Sequence, residues 1–183
     1  CNWLVANPRN QDSLIEAMKQ ARPTLFTGVN TLYASLVACP RIGEVDFSEL
    51  HLAIGGGAAV IPSTSDAWKA ITGTIIHEGY GLSETSPVLT FNPPSEQAFS
   101  GTAGVPIPST DIRLIDDDGV AVAPGQRGEI CAKGPQVMSG YWEKPEATEA
   151  AFTPDGYFRT GDIGQFNERG YLRIVDRKRG MLL

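Results

Sequence analysis

An α/β layer followed by a β-rich part is the fold class this sequence predicts: part of a parallel α/β layer, then a small distorted β-barrel subdomain. Three observations carry it. Helical and strand-like patterns alternate at short intervals through roughly the first ninety residues, as parallel βαβ units require. Helical periodicity then nearly vanishes after Pro93-Pro94. From there, turn signals recur about every ten to fifteen residues, a spacing suited to short antiparallel strands.

The elements follow in order. Asp12 can cap a helix carrying Leu14, Ile15 and Met18 on one face, broken near Pro23. Leu25 to Val29, interrupted only by Thr27 and Gly28, suits a buried strand. A second helical pattern holds Leu32, Tyr33, Leu36 and Val37 and stops at Pro40. Leu50 to Ile54 reads as a strand leading into Gly55-Gly56-Gly57, and a third helix starts near Pro62 and buries Trp68 and Ile71 before Gly73. Thr74 to Ile76 is the next strand, leading into Glu78-Gly79-Tyr80-Gly81. Beyond the prolines, Asp118-Gly119, Pro124-Gly125, Asp155-Gly156 and Arg169-Gly170 punctuate short runs such as Ile112–Ile115 and Glu129–Ala132. Only Pro145 to Phe152 looks helical there. A boundary is expected near residues 93–103.

Composition narrows the function classes. A hydrophobic fraction of 42% and a charged fraction of 20% are those of a globular chain rather than a disordered one. A formal net charge of −6 argues against a broad grip on nucleic acid, while leaving room for a small cationic site. No apolar run approaches membrane-spanning length. Cys1, Cys39 and Cys131 are an odd set without CxxC spacing, so they read as small apolar fillers in a reducing cytoplasm. The chain starts at Cys1 and stops at Leu183 inside an apolar stretch, and both ends are expected to be cuts.

Among polar segments, Glu78-Gly79-Tyr80-Gly81-Leu82-Ser83-Glu84-Thr85 stands out, because it follows a predicted parallel strand, where open α/β folds bind ligands. Its glycines let backbone N–H groups approach an anion, Ser83 and Thr85 add hydroxyls, Glu84 can hold a hard cation, and Tyr80 offers a flat face to a base. On spacing alone, a glycine-rich turn with solvated side chains stands level with that reading. Gly55-Gly56-Gly57 fits neither the Walker nor the GxGxxG pattern, and a tight structural turn explains it better. In Thr160-Gly161-Asp162 the carboxylate after a tight turn can accept ribose hydroxyls, although a solvated aspartate is the simpler reading of the tripeptide in isolation. Asp176-Arg177-Lys178-Arg179 is either a phosphate contact, with Arg177 the best candidate, or a charged loop. His51 and His77 have no triad or metal-ligand spacing and read as structural.

Together these segments resemble the AMP-forming acyl- and aryl-CoA synthetase, adenylation-domain and luciferase superfamily. The resemblance rests on GGGAAV at 55–60, EGYGLSET at 78–85, GEICAKGPQVMSGYW at 128–142, FRTGD at 158–162 and VDRKRG at 175–180, in that order. TGVNTLY at 27–33, KGPQVMSGYW at 133–142 and IVDRKR at 174–179 are most similar to bacterial long-chain fatty acyl-CoA ligases. The resemblance implies that a fatty carboxylate attacks the α-phosphate of ATP to give acyl-AMP and pyrophosphate, after which the CoA thiol displaces AMP. It implies an adenine and acyl pocket lined by Gly55, Gly56, Gly57 and Ala58. Glu78, Gly79, Tyr80 and Gly81 would hold adenine, with Tyr80 stacking on it. Ser83 would touch phosphate and act with Glu84 in catalysis, and Glu84 would ligate Mg²⁺. Asp162 would bind the ribose hydroxyls, and Arg177 would contact ribose or phosphate beside a hinge at Asp176. The domains implied are residues 1–98 of a large N-terminal α/β domain, 99–175 as the barrel-like subdomain, and 176–183 as hinge and start of a C-terminal domain.

Three positions depart from the family pattern: Ala59 for proline, Gly180 for aspartate, and Ser83 for a common threonine, which keeps the hydroxyl. The family's Ser/Thr/Gly-rich phosphate loop and its C-terminal lysine domain are not in the sequence. The chain alone is therefore expected to be inactive and prone to self-association. Its implied partners are fatty acid, ATP and CoA, with no nucleic acid. Peripheral association of a longer protein with the inner face of a membrane is left open. The competing readings are an adenylation domain that loads a carrier protein or stops at acyl-AMP, and a non-catalytic nucleotide-binding module.

Overall fold

The computed structural model describes residues 1–177 of the chain. Lys178 and Arg179 of the basic cluster, and the Gly180 departure, lie outside the described residues. By compactness the chain forms two units: Cys1–Glu78 with Pro93–Gly101, and Gly79–Asn92 with the chain from Thr102 on.

In the first unit, α1 (Gln11–Ala21) is capped by Asn10 and not by Asp12. The Asn10 Oδ1 accepts the Ser13 N–H at 3.1 Å, a reach available only to the residue just outside the helix. Asp12 lies inside the first turn, where it pairs with Arg41 at 2.7 Å. The helix ends at Arg22, whose N–H still donates to the Met18 carbonyl while its left-handed φ of 43° turns the following chain out of the helix. Strand β1 (Leu25–Gly28) is followed by α2 (Asn30–Val37), β2 (Leu52–Gly55) and α3 (Pro62–Thr72). β1 pairs with β2, and β2 with the first half of β3 (Ile76–Gly81), all in parallel.

The core of this unit is an aromatic cluster. Trp68 and Tyr33 are fully buried, with ring centroids 4.9 Å apart edge to face, and Phe26 and Phe47 pack against Trp68 at 5.7 and 5.5 Å. Such pairs add roughly 0.5–1.5 kcal/mol beyond the area they bury. Two sequence expectations are corrected here. β1 is not a buried strand: Phe26 faces the cluster, but Leu25 is 50% exposed, because the strand is covered on one face only. Ile71 is 37% exposed, since the buried arc of α3 runs through Thr64, Ser65 and Trp68 and leaves the last turn at its margin.

The strand expected over Thr74–Ile76 instead runs over Ile76–Gly81. The reason is the second half of its ladder: Gly79, Tyr80 and Gly81 pair antiparallel with β4 (Val88–Phe91), so the glycine-rich segment is strand, not loop. In the second unit β4 pairs with β5 (Val105–Pro106). Four further strands, β6 (Asp111–Ile115), β7 (Gly128–Lys133), β8 (Phe158–Phe166) and β9 (Leu172–Arg177), form an antiparallel sheet in sequence order. This sheet is open, and among the described residues no closed barrel forms. Its core holds Leu114, Ile130 and Leu172, with Tyr80, Ala103, Ile112, Val122 and Phe166 packed against them. α4 (Pro145–Ala150) is shorter than the helical pattern suggested and buries no residue.

Cys39 and Cys131 are buried as fillers and Cys1 is exposed; all are free thiols. Burial pushes the Cys131 thiol up to about 11. His77 is buried on β3, whereas His51 is exposed. No helix among the described residues is long and apolar enough to cross a membrane.

Candidate functional site

In the first unit, the turn after β2 is tied to β3 by one carboxylate. Glu78, 8% exposed, accepts the Val60 N–H on Oε1 at 2.8 Å. Burial raises its pKa above the ordinary 4.5, and the Val60 N–H partly opposes that shift. Gly55 is needed for packing, because a Cβ there would stand 2.5 Å from Val60 Cγ2 and 2.9 Å from Ile76 Cγ2. Gly57, Ala58 and Ala59 are exposed beyond it, and Gly56 donates its N–H to Gly28 O at 3.3 Å. The segment is thus a tight structural turn whose exposed crest, Gly57 to Ala59, is available for contact.

In the second unit, Tyr80, Asp162 and Arg177 come together although up to 97 residues separate them in sequence (177 − 80). Tyr80 OH donates to Asp162 Oδ2 at 2.7 Å, and Arg177 Nε lies 3.5 Å from Asp162 Oδ1. Arg177 stands opposite Asp162 in the β8–β9 register. Asp162 is not the end of a tight turn, as the tripeptide suggested, but part of a bulge inside β8. Arg159 pairs with Cys131 and Ile163 with Glu129, so Thr160, Gly161 and Asp162 stand against the single Ile130. Gly161 absorbs the bulge with a φ of 73°. The buried Thr160 hydroxyl fixes it, donating to Ile130 O at 2.8 Å and accepting the Asp162 N–H at 3.2 Å. Burial, and the Asp162 carboxylate beside it, push the Tyr80 phenol well above its ordinary range, so it stays a proton donor.

Ser83 and Glu84 lie on the single 3-10 turn Ser83–Thr85 after β3. The turn is held from inside by Thr85, fully buried, whose Oγ1 accepts the Leu82 N–H at 2.9 Å. Ser83 is exposed. The Glu84 carboxylate accepts the Tyr141 hydroxyl at 3.1 Å, and its carbonyl accepts the Met138 N–H at 2.8 Å. Burial and Glu84 together raise the Tyr141 pKa. No group of three or more His, Cys, Asp or Glu among the described residues can hold a metal. A lone carboxylate beside a hydroxyl does not make a dedicated cage. It does fit Mg²⁺ carried in on phosphate oxygens, an ion that keeps several waters and takes one or two protein carboxylates.

The predicted residues thus fall into three local groups: Gly55–Ala58 with Glu78, Tyr80 with Asp162 and Arg177, and Ser83 with Glu84. Gly79 and Gly81 are spacers in β3. The Thr85 hydroxyl, expected to face a ligand, is instead fully buried and spent on the turn's own backbone. Thr160 and Tyr141 are supporting residues to which sequence reasoning gave no role. Thr160 carried a readable signal, a hydroxyl two residues before the carboxylate; Tyr141 carried none, because 57 residues separate it from Glu84.

The sequence profile of the AMP-binding enzyme family matches residues 2–142. The chain is 46% identical over 182 residues to a long-chain-fatty-acid–CoA ligase of Salmonella typhimurium, covering 100% of this chain and 32% of that protein. It is 39% identical over 172 residues to a feruloyl-CoA synthase of an Amycolatopsis species, covering 93% of this chain and 35% of the relative. The crystal structure of ATP-bound MatB from Rhodopseudomonas palustris superposes with a TM-score of 0.83 at 36% identity, over 94% of this chain and 34% of that one. The chain spans about a third of the length of the curated relatives it matches.

Proposed function

The chain belongs to the AMP-binding enzyme family, and from that premise we propose that it supplies part of the adenylate site of a long-chain fatty acid–CoA ligase. In the proposed reaction a polypeptide of the relatives' length couples ATP to a fatty acid, forms acyl-AMP and pyrophosphate, and transfers the acyl group to CoA. The observation that carries the substrate class is the 46% identity to the Salmonella ligase, sustained over the whole chain. The feruloyl-CoA synthase, similar at 39%, shares the proposed chemistry of a CoA thioester but names a different acid.

The proposed roles follow from chemistry. Tyr80 presents its ring to adenine, with the β3 backbone at Glu78, Gly79 and Gly81 beside it. Asp162 accepts the ribose hydroxyls, and Arg177 adds cationic donors for ribose or phosphate. In the first unit, Gly55 to Ala58 are proposed as adenine and acyl contacts, the accessible part being the crest from Gly57. Ser83 donates to phosphate. Glu84 would hold Mg²⁺, which when bound offsets charge that builds at the α-phosphate as one anion meets another. Tyr141, through Glu84, limits which way that carboxylate can turn. The reducing compartment expected from the three cysteines belongs to the same reading.

The test is a chimera in which this chain replaces the matched third of the Salmonella ligase, assayed with labelled ATP, Mg²⁺, CoA and palmitate. Palmitoyl-CoA formation with AMP release is the expected result. Adenylate that accumulates and is never passed to CoA favours the adenylation-domain alternative. Pyrophosphate release driven by amino acids and not by fatty acids refutes the proposal.

A further inference from the structure

The geometry points to a second role for Tyr80: its phenol hydroxyl is a positioning group that orients the Asp162 carboxylate toward a vicinal diol, so the protein discriminates ribose from deoxyribose through Tyr80 as well as through Asp162. This rests on the reading of Tyr80 and Asp162 as nucleotide contacts.

The argument starts from the carboxylate's freedom. An aspartate has two oxygens with about four acceptor sites, and its terminal torsion is broad, so an unsupported carboxylate presents no fixed face to a ligand. Asp162 is anchored at both oxygens. Tyr80 OH holds Oδ2 at 2.7 Å and Arg177 Nε sits 3.5 Å from Oδ1. The anchors are unequal. The Arg177 side chain is 72% exposed, so its attraction is screened and its long stem is entropically free. Tyr80 is part-buried against the cluster of Leu114, Ile130 and Leu172, which restricts where its ring can go. The backbone of Asp162 is fixed independently, by the Thr160 hydroxyl and the β8 bulge. One torsional freedom therefore remains at Asp162, and the Tyr80 hydroxyl removes it. Each carboxylate oxygen keeps acceptor capacity after its anchor is satisfied, side by side, which suits two adjacent hydroxyl donors and not one. Tyr80 thus serves two parts of one ligand: its ring faces the base, and its hydroxyl, through Asp162, sets the sugar.

The two roles separate in Tyr80→Phe, which keeps the ring and deletes the hydroxyl. The measurement is ligand-observed NMR titration of the 183-residue protein with AMP and with 2′,3′-dideoxy-AMP. The unsubstituted protein should prefer AMP by roughly tenfold or more, one charge-assisted hydrogen-bond pair. In Tyr80→Phe that preference should shrink to about threefold or less, because AMP loses more affinity than dideoxy-AMP does. A structural defect would weaken both ligands alike. Asp162→Asn should lose the preference too, and Tyr80→Phe added to it should lose nothing more. A preference kept intact in Tyr80→Phe overturns the positioning role while leaving Asp162 as a ribose contact. If the unsubstituted protein does not bind AMP or does not discriminate, the nucleotide reading itself falls and this inference with it. Should Tyr80→Phe unfold, Thr160→Ser and Thr160→Val decide: the serine should keep the preference and the valine reduce it, and equal preference in both refutes an anchored Asp162.

Discussion

Gly81 is the position where the structure makes its sharpest mechanical demand. A Cβ built there would lie 1.6 Å from Pro87 O, 2.6 Å from Pro87 C and 2.9 Å from Val88 Cα. All three are backbone atoms, so no side chain can swing aside. An ordinary carbon–oxygen contact is about 3.3 Å, and relief requires a shift of roughly 1.7 Å between β3 and the chain entering β4. That shift opens the ladder where Gly81 faces Val88. Overpacking costs about 1–3 kcal/mol, and a lost ladder hydrogen bond about 1 more, so Gly81→Ala should destabilise by ~3 kcal/mol. With a urea slope of about 2 kcal/mol/M, the midpoint should fall by roughly 1.5 M. Gly43→Ala is the matched control, because nothing lies within 4 Å of its added methyl group. It should leave the midpoint within about 0.3 M. Urea unfolding followed by far-UV circular dichroism reads both. A Gly81→Ala midpoint indistinguishable from that of Gly43→Ala would refute the close-approach argument and return the glycine to the role of ligand spacer.

Glu84→Ala in the Salmonella chimera should lower turnover at least about a hundredfold, since charge stabilisation at phosphate is worth several kcal/mol, and an unchanged rate and Mg²⁺ dependence would make Glu84 a turn residue. Glu78→Gln tests the raised pKa. A carboxylate whose folded pKa lies above its ordinary 4.5 favours folding in its protonated form, so stability is lost as pH rises from 4.5 through the folded value. Glutamine keeps an acceptor for Val60 N–H without the charge, and its thermal midpoint relative to the unsubstituted protein should climb across that window; a constant difference from pH 4 to 8 contradicts the shift. Tyr33 OH, wholly buried, lies 2.9 Å from Ile54 O and 3.1 Å from Phe26 O, and Tyr33→Phe should cost about 1–2 kcal/mol in denaturant unfolding; no loss would mean that the ladder satisfies both carbonyls without it.

How much of the fold the sequence discloses depends on where the controlling contact lies. The helices around Leu14, Tyr33 and Trp68 are legible because a 3.6-residue repeat of apolar side chains is local and shows which face is buried. Strand limits are less so. The segment from Glu78 to Gly81 has the composition of a loop, and only its pairing with Gly79–Phe91, Tyr80–Thr90 and Gly81–Val88 makes it strand. Glycine has low strand propensity, but at 81 the Pro87 and Val88 backbone leaves no room for a Cβ, and at 79 a Cβ would press on the Phe91 ring at 2.9 Å. The cap of α1 failed for a simpler reason: Asn10 and Asp12 are both good caps, and composition does not say which stands just outside the first turn.

The candidate site shows the same division more sharply. Side-chain chemistry makes Tyr80, Glu84, Asp162 and Arg177 candidates, since phenol, carboxylate and guanidinium suit a nucleotide, and only the family resemblance singles them out. What sequence does not show is the aim of each. Thr160-Gly161-Asp162 looks like a turn because a glycine beside a short acid usually marks one. In the sheet it is a bulge, and the difference matters chemically. A turn aspartate is solvated and free to rotate, whereas a bulged one has its backbone fixed by Thr160 and its carboxylate held by Tyr80, with a hydrogen-bond network on both sides. Such a network exists only once the Gly79–Gly81 half of β3 and β8 belong to one compact unit, which no pattern in either segment encodes. The groups proposed to touch a ligand are therefore readable from motifs, while the contacts that orient those groups, even where the residue itself lies in a motif as Thr160 does, emerge only from the folded register. For this chain they come from Thr160, Tyr141 and the hydroxyl of Tyr80, and substitutions there should alter specificity more than they alter the capacity to bind.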